Sequence, residues 1–202
     1  MHPSTIDNIV NTPDILGAIC DHCNRADLTR IICVSRPAFA AAAPRIWRSL
    51  NGAQHLLKLL SPVFKIQSGG FVLHFEEGSR DFTRFKIYAV YVQKLIVLKS
   101  WKIGETGNAD FHISSWRFLV QQAKITPLLP NLEELEFAPS QKFGQDLLIW
   151  LSTFASPSLR KLSALTDDCF RGNPATLLVL LKLKCPNIAS LSLGPVIRSL
   201  PL

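Results

Sequence analysis

A chain of 202 residues with 48% hydrophobic and 18% charged side chains has room for one domain or two small ones and enough apolar content for a genuine core, which argues against a disordered chain. No apolar run reaches the length of a membrane span, since the longest, around 147–157 and 174–183, carry polar breaks; the start, MHPSTIDNIV, has neither the basic beginning nor the apolar centre of a secretory signal. The net charge of +7 is spread thinly, +1 over residues 1–52, +3 over 53–110 and +3 over 111–202, with no three consecutive Lys or Arg, so a basic nucleic-acid-binding protein is the weakest of the readings kept open. The expectation is a soluble protein of the cytoplasm, the nucleus or both.

Residues 13–47 predict three short helices. Thr12 is placed to cap the first, Pro13 suits its first position, and Asp14 sits where the helix dipole favours negative charge. Ile15, Leu16, Ile19, Cys20 and Cys23 then recur at the three-and-four spacing of one apolar face. Asn24 is placed to cap a second helix, with Leu28, Ile31, Ile32 and Val34 as its buried stripe. Ser35 and Pro37 open a third helix through Phe39 and the alanines 40–43; Pro44 is expected to end it, with Ile46 and Trp47 as a bulky plug. A domain this small buries little apolar surface alone and usually leans on a partner, which points to an interaction module.

This order of residues resembles an F-box. The family runs Leu-Pro-x-Glu-Ile-Leu, Ile-Phe, Asp-Leu, Val-Cys-Arg, a Trp, and a closing Leu-Trp. Pro13, Ile15, Leu16 and Ile19 match the first part, Asp27 and Leu28 the middle, Val34, Ser35 and Arg36 the Val-Cys-Arg step, and Trp47 the close. Thr12 departs from the leading Leu, Asp14 from Glu, Cys20 from Phe and Phe39 from the Trp. The changes at 12 and 20 remove apolar volume. The resemblance covers about a fifth of the chain, and the expected domains are an F-box-like helical one over 1–52 and a second over 53–202.

Five cysteines stand at 20, 23, 33, 169 and 185. Cys20 and Cys23 have half the spacing of a structural zinc site, but no second tight pair completes it, and both fall on the apolar stripe, where cysteine behaves as a small hydrophobe. No metal and no cofactor is expected.

Beyond Trp47 short strands alternate with helical stretches. Three share an introduction: PNLEELEF at 130–137, PSLRKLSA at 157–164 and PNIASLSL at 186–193, with Leu135, Leu162 and Leu191 spaced 27 and then 29 apart. YVQKLIVL at 91–98 is a fourth without the Pro, Leu95 standing 40 before Leu135. FVLHF at 71–75 reads as an earlier irregular strand, with Phe85, Tyr88 and Tyr91 introducing the next unit. GETG at 104–107 and GNAD at 107–110 read as turns within a longer insertion. Helical faces are predicted for Trp116, Phe118, Leu119 and Ala123; for Phe143, Leu147, Leu148, Leu151 and Phe154; and for Leu177, Leu180, Leu181 and Leu183. Periods in the twenties with a strand and a helix per unit are similar to leucine-rich repeats. The expected fold class is α/β: an N-terminal three-helix F-box, then a short, irregular leucine-rich-repeat solenoid. Its last unit, LSLGPVIRSLPL, has no polar cap, so the domain is read as incomplete or uncapped there.

The combination looks like the short F-box proteins expanded in fungi. It implies a substrate-recognition adaptor of an SCF-type cullin–RING ubiquitin ligase, docked on the Skp-family adaptor beside the cullin, with the repeats holding a target protein for degradation. The resemblance assigns adaptor binding to Pro13, Ile15, Leu16, Ile19, Leu28, Ile31, Val34, Phe39 and Trp47. Strand alternation supplies the target face: with Leu135 and Phe137 inward, Lys94, Ile96, Glu134, Glu136, Lys161, Ser163, Ser190 and Ser192 point out, and a slip of one residue would reverse them all. No phosphate-cradling loop, nucleophile elbow or metal-ligand pair is present, so the chain is read as no enzyme. A repeat scaffold whose degenerate F-box has no ligase role stays open beside the adaptor reading.

Overall fold

The computed structural model describes residues 12–60, 63–67, 70–74, 81–97, 100–102, 108–113, 116–137, 146–164 and 174–193. The chain divides into two compact units, residues 1–49 and 50–202, and among the described residues it is a mixed α/β protein. The boundary falls before 52 because Leu50, 1% exposed, belongs to the first strand of a sheet.

Among its described residues the first unit holds helices α1 (Pro13–His22), α2 (Arg25–Ile31) and α3 (Arg36–Trp47). Asn24 Oδ1 accepts from the Asp27 N–H at 3.0 Å and Ser35 Oγ from the Ala38 N–H at 3.2 Å, so both act as the side-chain caps their types predict. Thr12 does not: its backbone carbonyl accepts from Leu16 N–H at 3.0 Å, and its side chain makes no capping bond. Pro44 does not end the third helix either. Proline forfeits its own N–H bond to the carbonyl four residues back. The apolar face nevertheless continues to Ile46, which favours the helical path. The core is small: Cys20, Leu28, Ala42 and Ile46 are buried, with Cys23, Ile31, Ile32, Ala41 and Trp47 against them. Ala42 and Ala43, both fully buried, let α3 approach its neighbours closely.

The second unit carries two sheets. Strands β1 (Ser49–Asn51), β4 (Lys94–Val97), β7 (Glu134–Phe137), β8 (Lys161–Ala164) and β9 (Ser190–Leu193) form one, in that spatial order; β4, β7, β8 and β9 pair in parallel. Gly52 follows β1 at φ +94°, a conformation that favours glycine, and its N–H donates to Ile96 O at 2.8 Å; a Cβ there would run into the Gln54 side chain. Helix α4 (Gln54–Leu57) and a 3₁₀ turn (Lys58–Leu60) follow. Helices α5 (Thr83–Ala89), α6 (Trp116–Ile125), α7 (Asp146–Phe154) and α8 (Pro174–Lys184) precede β4, β7, β8 and β9 respectively, as parallel pairing of consecutive strands requires.

The second sheet is one that strand spacing did not predict. Strands β2 (Val63–Gln67), β3 (Gly70–His74), β6 (Asn108–Ile113) and β5 (Ser100–Lys102) lie in the order β2-β3-β6-β5. β2–β3 and β5–β6 pair antiparallel, β3–β6 parallel. Thus the strand at 71–74 belongs to this sheet, not to the series containing β4. The Asn108–Asp110 part of the expected turn is strand, while 103–107 lies outside the described residues.

Four copies of one backbone pattern lock the first sheet. Asn131 Nδ2 donates to Val90 O at 2.7 Å, Ser158 Oγ to Pro130 O at 2.6 Å, and Asn187 Nδ2 to Pro157 O at 3.0 Å. Each donor follows the position equivalent to the acceptor of the next step. Three residues on, one carbonyl accepts two N–H groups from the following copy: Gln93 O from Glu133 and Glu134, Glu133 O from Arg160 and Lys161, Arg160 O from Ala189 and Ser190, all at 2.8–2.9 Å. The side chains between sit inside, with Val92, Leu132 and Leu159 at 0% exposure.

The helices are joined by aromatics. The Trp116 ring meets Trp150 edge-on at 4.8 Å, Trp150 stacks on Phe154 at 5.4 Å, and Phe82 lies 5.6 Å from Phe85 and 5.4 Å from Phe118. Leu119, Leu151, Phe154, Leu177 and Leu181 are buried as their spacing predicts. Leu183 is not: it is 77% exposed. Phe143 lies outside the described residues.

Candidate binding faces

Two surfaces collect the residues singled out in the sequence, one on each unit. On the helical unit, α1 is apolar over more of its circumference than its core uses. Leu16 and Cys20 point inward at 6% and 2% exposure, while Ile15 and Ile19, one turn apart, stand 38% and 46% exposed, with Pro13 also exposed. Of the other residues assigned to adaptor binding, Ile31, Phe39 and Trp47 are half-buried and Leu28 is buried. Leu16 and Leu28 therefore hold the helices together and offer little to a partner in this conformation. Val34 corrects its assignment to the buried stripe: α2 ends at Ile31, and Val34 lies in the turn beyond, 77% exposed.

A guanidinium ties α1 to α3, which apolar spacing does not reveal. Arg45 Nε donates to Asp21 Oδ1 at 2.7 Å, Nη2 to Gly17 O at 2.9 Å and Nη1 to Ala41 O at 2.7 Å. The hydrogen bond from Arg45 holds the Asp21 carboxyl below its ordinary value of 3.8. A carboxyl with a depressed pKa in the folded state contributes stability that is complete above its unfolded pKa and is lost as the pH falls through the folded value. Acidification below the ordinary carboxylate range is expected to erode this contribution in the parent chain. Thermal midpoints measured against pH should show the gap between parent and Asp21→Asn closing there; a constant gap would contradict the linkage.

The eight residues expected on the target face occupy two neighbouring rows across the parallel sheet. Lys94, Glu134, Lys161 and Ser190 are register partners in one, and Ile96, Glu136, Ser163 and Ser192 in the other. Their inward neighbours Leu95, Val97, Leu135, Phe137 and Leu162 are at 0–1% exposure, so on β4, β7 and β8 the alternation runs as expected; on β9 it does not show in burial, since Leu191 is 38% exposed beside the exposed Ser190 and Ser192. Lys94 Nζ lies 3.2 Å from both Glu134 Oε2 and Glu136 Oε2, and Lys161 Nζ 3.9 Å from Glu134 Oε2. Hydrogen bonds to Glu134 and then Glu136 raise the Lys94 pKa and keep it charged. From β4 to β9 the first row reads cation, carboxylate, cation and hydroxyl, and the second apolar, carboxylate, hydroxyl and hydroxyl. Such a face favours a partner of matching pattern more than it favours net charge of either sign.

Cys20 is buried and free; burial raises its pKa, as suits a thiol serving as core. Cys185 is likewise buried and free, pushed up to about 11 by burial. Among the described residues no group of His, Cys, Asp or Glu is placed to hold a metal ion, and no helix is long and apolar enough to cross a membrane. The chain matches no protein-family model, no curated protein and no solved structure.

Proposed function

We propose that this chain is the substrate-recognition adaptor of an SCF-type cullin–RING ubiquitin ligase, its helical unit acting as an F-box and its parallel-sheet unit as a short leucine-rich-repeat solenoid. The observation that carries this reading is the exposed pair Ile15 and Ile19 on a helix whose own core is served by Leu16 and Cys20. Both lie in the segment that resembles an F-box, where that family meets its Skp-family adaptor. The two rows on the open sheet face give the target a surface with its own charge pattern, and the chain supplies no chemistry, since ubiquitin transfer belongs to other subunits. The compartment would be that of the ligase, cytoplasm or nucleus.

The test is a pull-down with a purified Skp-family adaptor beside an Ile15→Asp control. Ile15 is 38% exposed, so the aspartate enters no core and the variant is expected to fold. At an interface centre such a change costs at least about 2 kcal/mol, a roughly thirtyfold loss of affinity. Capture of the parent chain and not of the variant supports the reading. Undiminished capture of the variant overturns the docking assignment.

One feature favours the second reading, a repeat scaffold with a relic F-box. Cys20 stands where the family has Phe, and it is central to the buried cluster, so the helical unit is built around a smaller core. Failure of the folded parent chain to bind the adaptor leaves that scaffold.

A further inference from the structure

The helical unit carries a motif that the proposed docking leaves unused, the two thiols of Cys20-Asp21-His22-Cys23. Among the described residues no third ligand joins them to hold a metal ion. The fold nevertheless brings them together. Cys20 lies in the last turn of α1, and Cys23 is the residue that follows the helix, at φ −86° and ψ 142°. The Cys23 N–H donates to Cys20 O at 3.3 Å, a bond that closes a turn. Such a turn keeps its first and fourth Cα atoms within about 7 Å, the span that a disulfide bridges without moving the backbone. The side chains share a side as well. Cys20 is buried in the core with Leu28, Ala42 and Ile46, and the half-buried Cys23 packs against that same core. Burial raises the Cys20 pKa above its ordinary value of 9.0, the Arg45 guanidinium opposes the rise, and Cys23 adds to it, so the two sulfurs are near enough to sense each other's charge.

We propose that Cys20 and Cys23 are an oxidisable dithiol site that closes to a disulfide in the folded chain when a low-molecular-weight disulfide such as glutathione disulfide is present. Cys23 is the entry point, being half-buried where Cys20 is buried. Its thiolate attacks one sulfur of glutathione disulfide, a protein–glutathione bond forms, and one glutathione thiolate leaves and takes up the proton that Cys23 gave. The Cys20 thiolate then attacks the Cys23 sulfur from the core side, and the second glutathione leaves with the Cys20 proton. Two protein thiols are oxidised, one glutathione disulfide is reduced to two thiols, and no other reactant enters. The electrostatics suit a slow, responsive bond rather than a catalytic one. The pair stands at the C-terminus of its helix, where the dipole disfavours a thiolate, whereas low-pKa cysteines gather at helix N-termini. The consequence is mechanical. Cys23 lies just past α1 and just before Asn24, whose side chain caps α2. A covalent tie there fixes the end of α1 to the turn that begins α2. The bond is favoured by the folded turn, so by linkage it stabilises that turn in return. In a reducing compartment a disulfide of this kind is transient, made under oxidant and undone afterwards.

The test equilibrates the full chain with mixtures of reduced and oxidised glutathione, blocks free thiols with a maleimide in acid, and digests with trypsin. The first Lys or Arg is Arg25, so the peptide of residues 1–25 carries Cys20 and Cys23 and no other cysteine. From the folded chain that peptide is expected without maleimide and lighter than the dithiol form by two hydrogens, and prior dithiothreitol should restore both thiols. The ratio of closed to open peptide should be at least about tenfold higher from the folded chain than from the chain in urea at the same glutathione ratio. The oxidised chain should also melt above the reduced one. Cys23→Ala, at a half-buried position, should abolish both effects; glutathione on the exposed Cys33 is common to both chains. A peptide that stays open, that carries glutathione without closing, or that is cross-linked to another cysteine overturns the proposal. Closure no greater in the folded chain than in urea, or a melting shift that survives Cys23→Ala, overturns it equally.

Discussion

A Phe154→Ala chain should lose about 3–5 kcal/mol of the stability of its sheet-bearing unit. Phe154 is 1% exposed at the end of α7, its ring stacked on Trp150, which in turn meets Trp116 of α6. Truncation removes the ring's transfer free energy. It also leaves a void that Trp150, held on both sides, cannot fill without abandoning Trp116. Small domains are stable by only about 5–15 kcal/mol, so one such loss is a large share of the whole. Urea unfolding followed by far-UV dichroism is the measurement, with Ile125→Ala as the contrast: at 76% exposure it should shift stability by no more than about 0.5 kcal/mol. Equal midpoints for Phe154→Ala and the parent chain would mean that the aromatic cluster is not the joint between these helices.

The second large effect comes from adding atoms. Ala42 has no exposed surface and sits with Cys20, Leu28 and Ile46 where α3 meets α1 and α2. Ala42→Leu inserts three carbons where the helices have no space, an overpacking that costs typically about 1–3 kcal/mol. In a unit with a core this small, such a cost displaces whole helices. The consequence extends to the exposed Ile15 and Ile19, because the seat of α1 moves. The variant is therefore expected to melt earlier and, under the proposed docking, to capture less of a Skp-family adaptor, although its surface residues are unchanged. Val34→Ala, at a 77% exposed position, should melt as the parent does. An Ala42→Leu chain that melts with the parent would show that the helices are more loosely seated than this core implies.

The parts of the fold that follow from short-range pattern were legible. Alternation placed the residues of β4, β7 and β8 in two rows, because a strand sends successive side chains to opposite faces and the buried Leu95, Leu135 and Leu162 set the phase; Ser190 and Ser192 join the rows by their register with β8, although Leu191 is 38% exposed. Asn24 and Ser35 announced their helices because their side-chain oxygens reach the first-turn N–H groups. What was missed depends on partners distant in the chain. Strand β3 was visible as a strand, but nothing local says that its neighbour is β6, some forty residues on. Arg45 shows only a charge until Asp21 and Gly17 are brought beneath it. Pro44 was read by its local penalty, which the packing of Ile46 outweighs. Leu183 was read by its period alone, but a stripe is buried only where a neighbouring element covers it. The exposed side of α1 was hidden for the same reason: hydrophobic spacing marks Ile15, Leu16, Ile19 and Cys20 alike and does not say which pair the core takes.

Beside the strand ladders, the repeated bonds between successive copies come from four residues that run to the first residue of each strand, from the Asn131, Ser158 or Asn187 donor to the second N–H on the shared carbonyl. Copies 40, 27 and 29 residues apart are joined identically, so the length of chain between them is irrelevant to how they align. This makes the sheet editable. A stretch as long as the one containing β5 and β6 can be spliced between two copies, or a whole copy added or removed, and the surviving side chains keep their places in both rows. Natural variation in such a chain would then fall into two classes. Changes of length would be absorbed between copies, whereas a change at the polar residue before a strand would remove the side-chain bond that ties its copy to the one before.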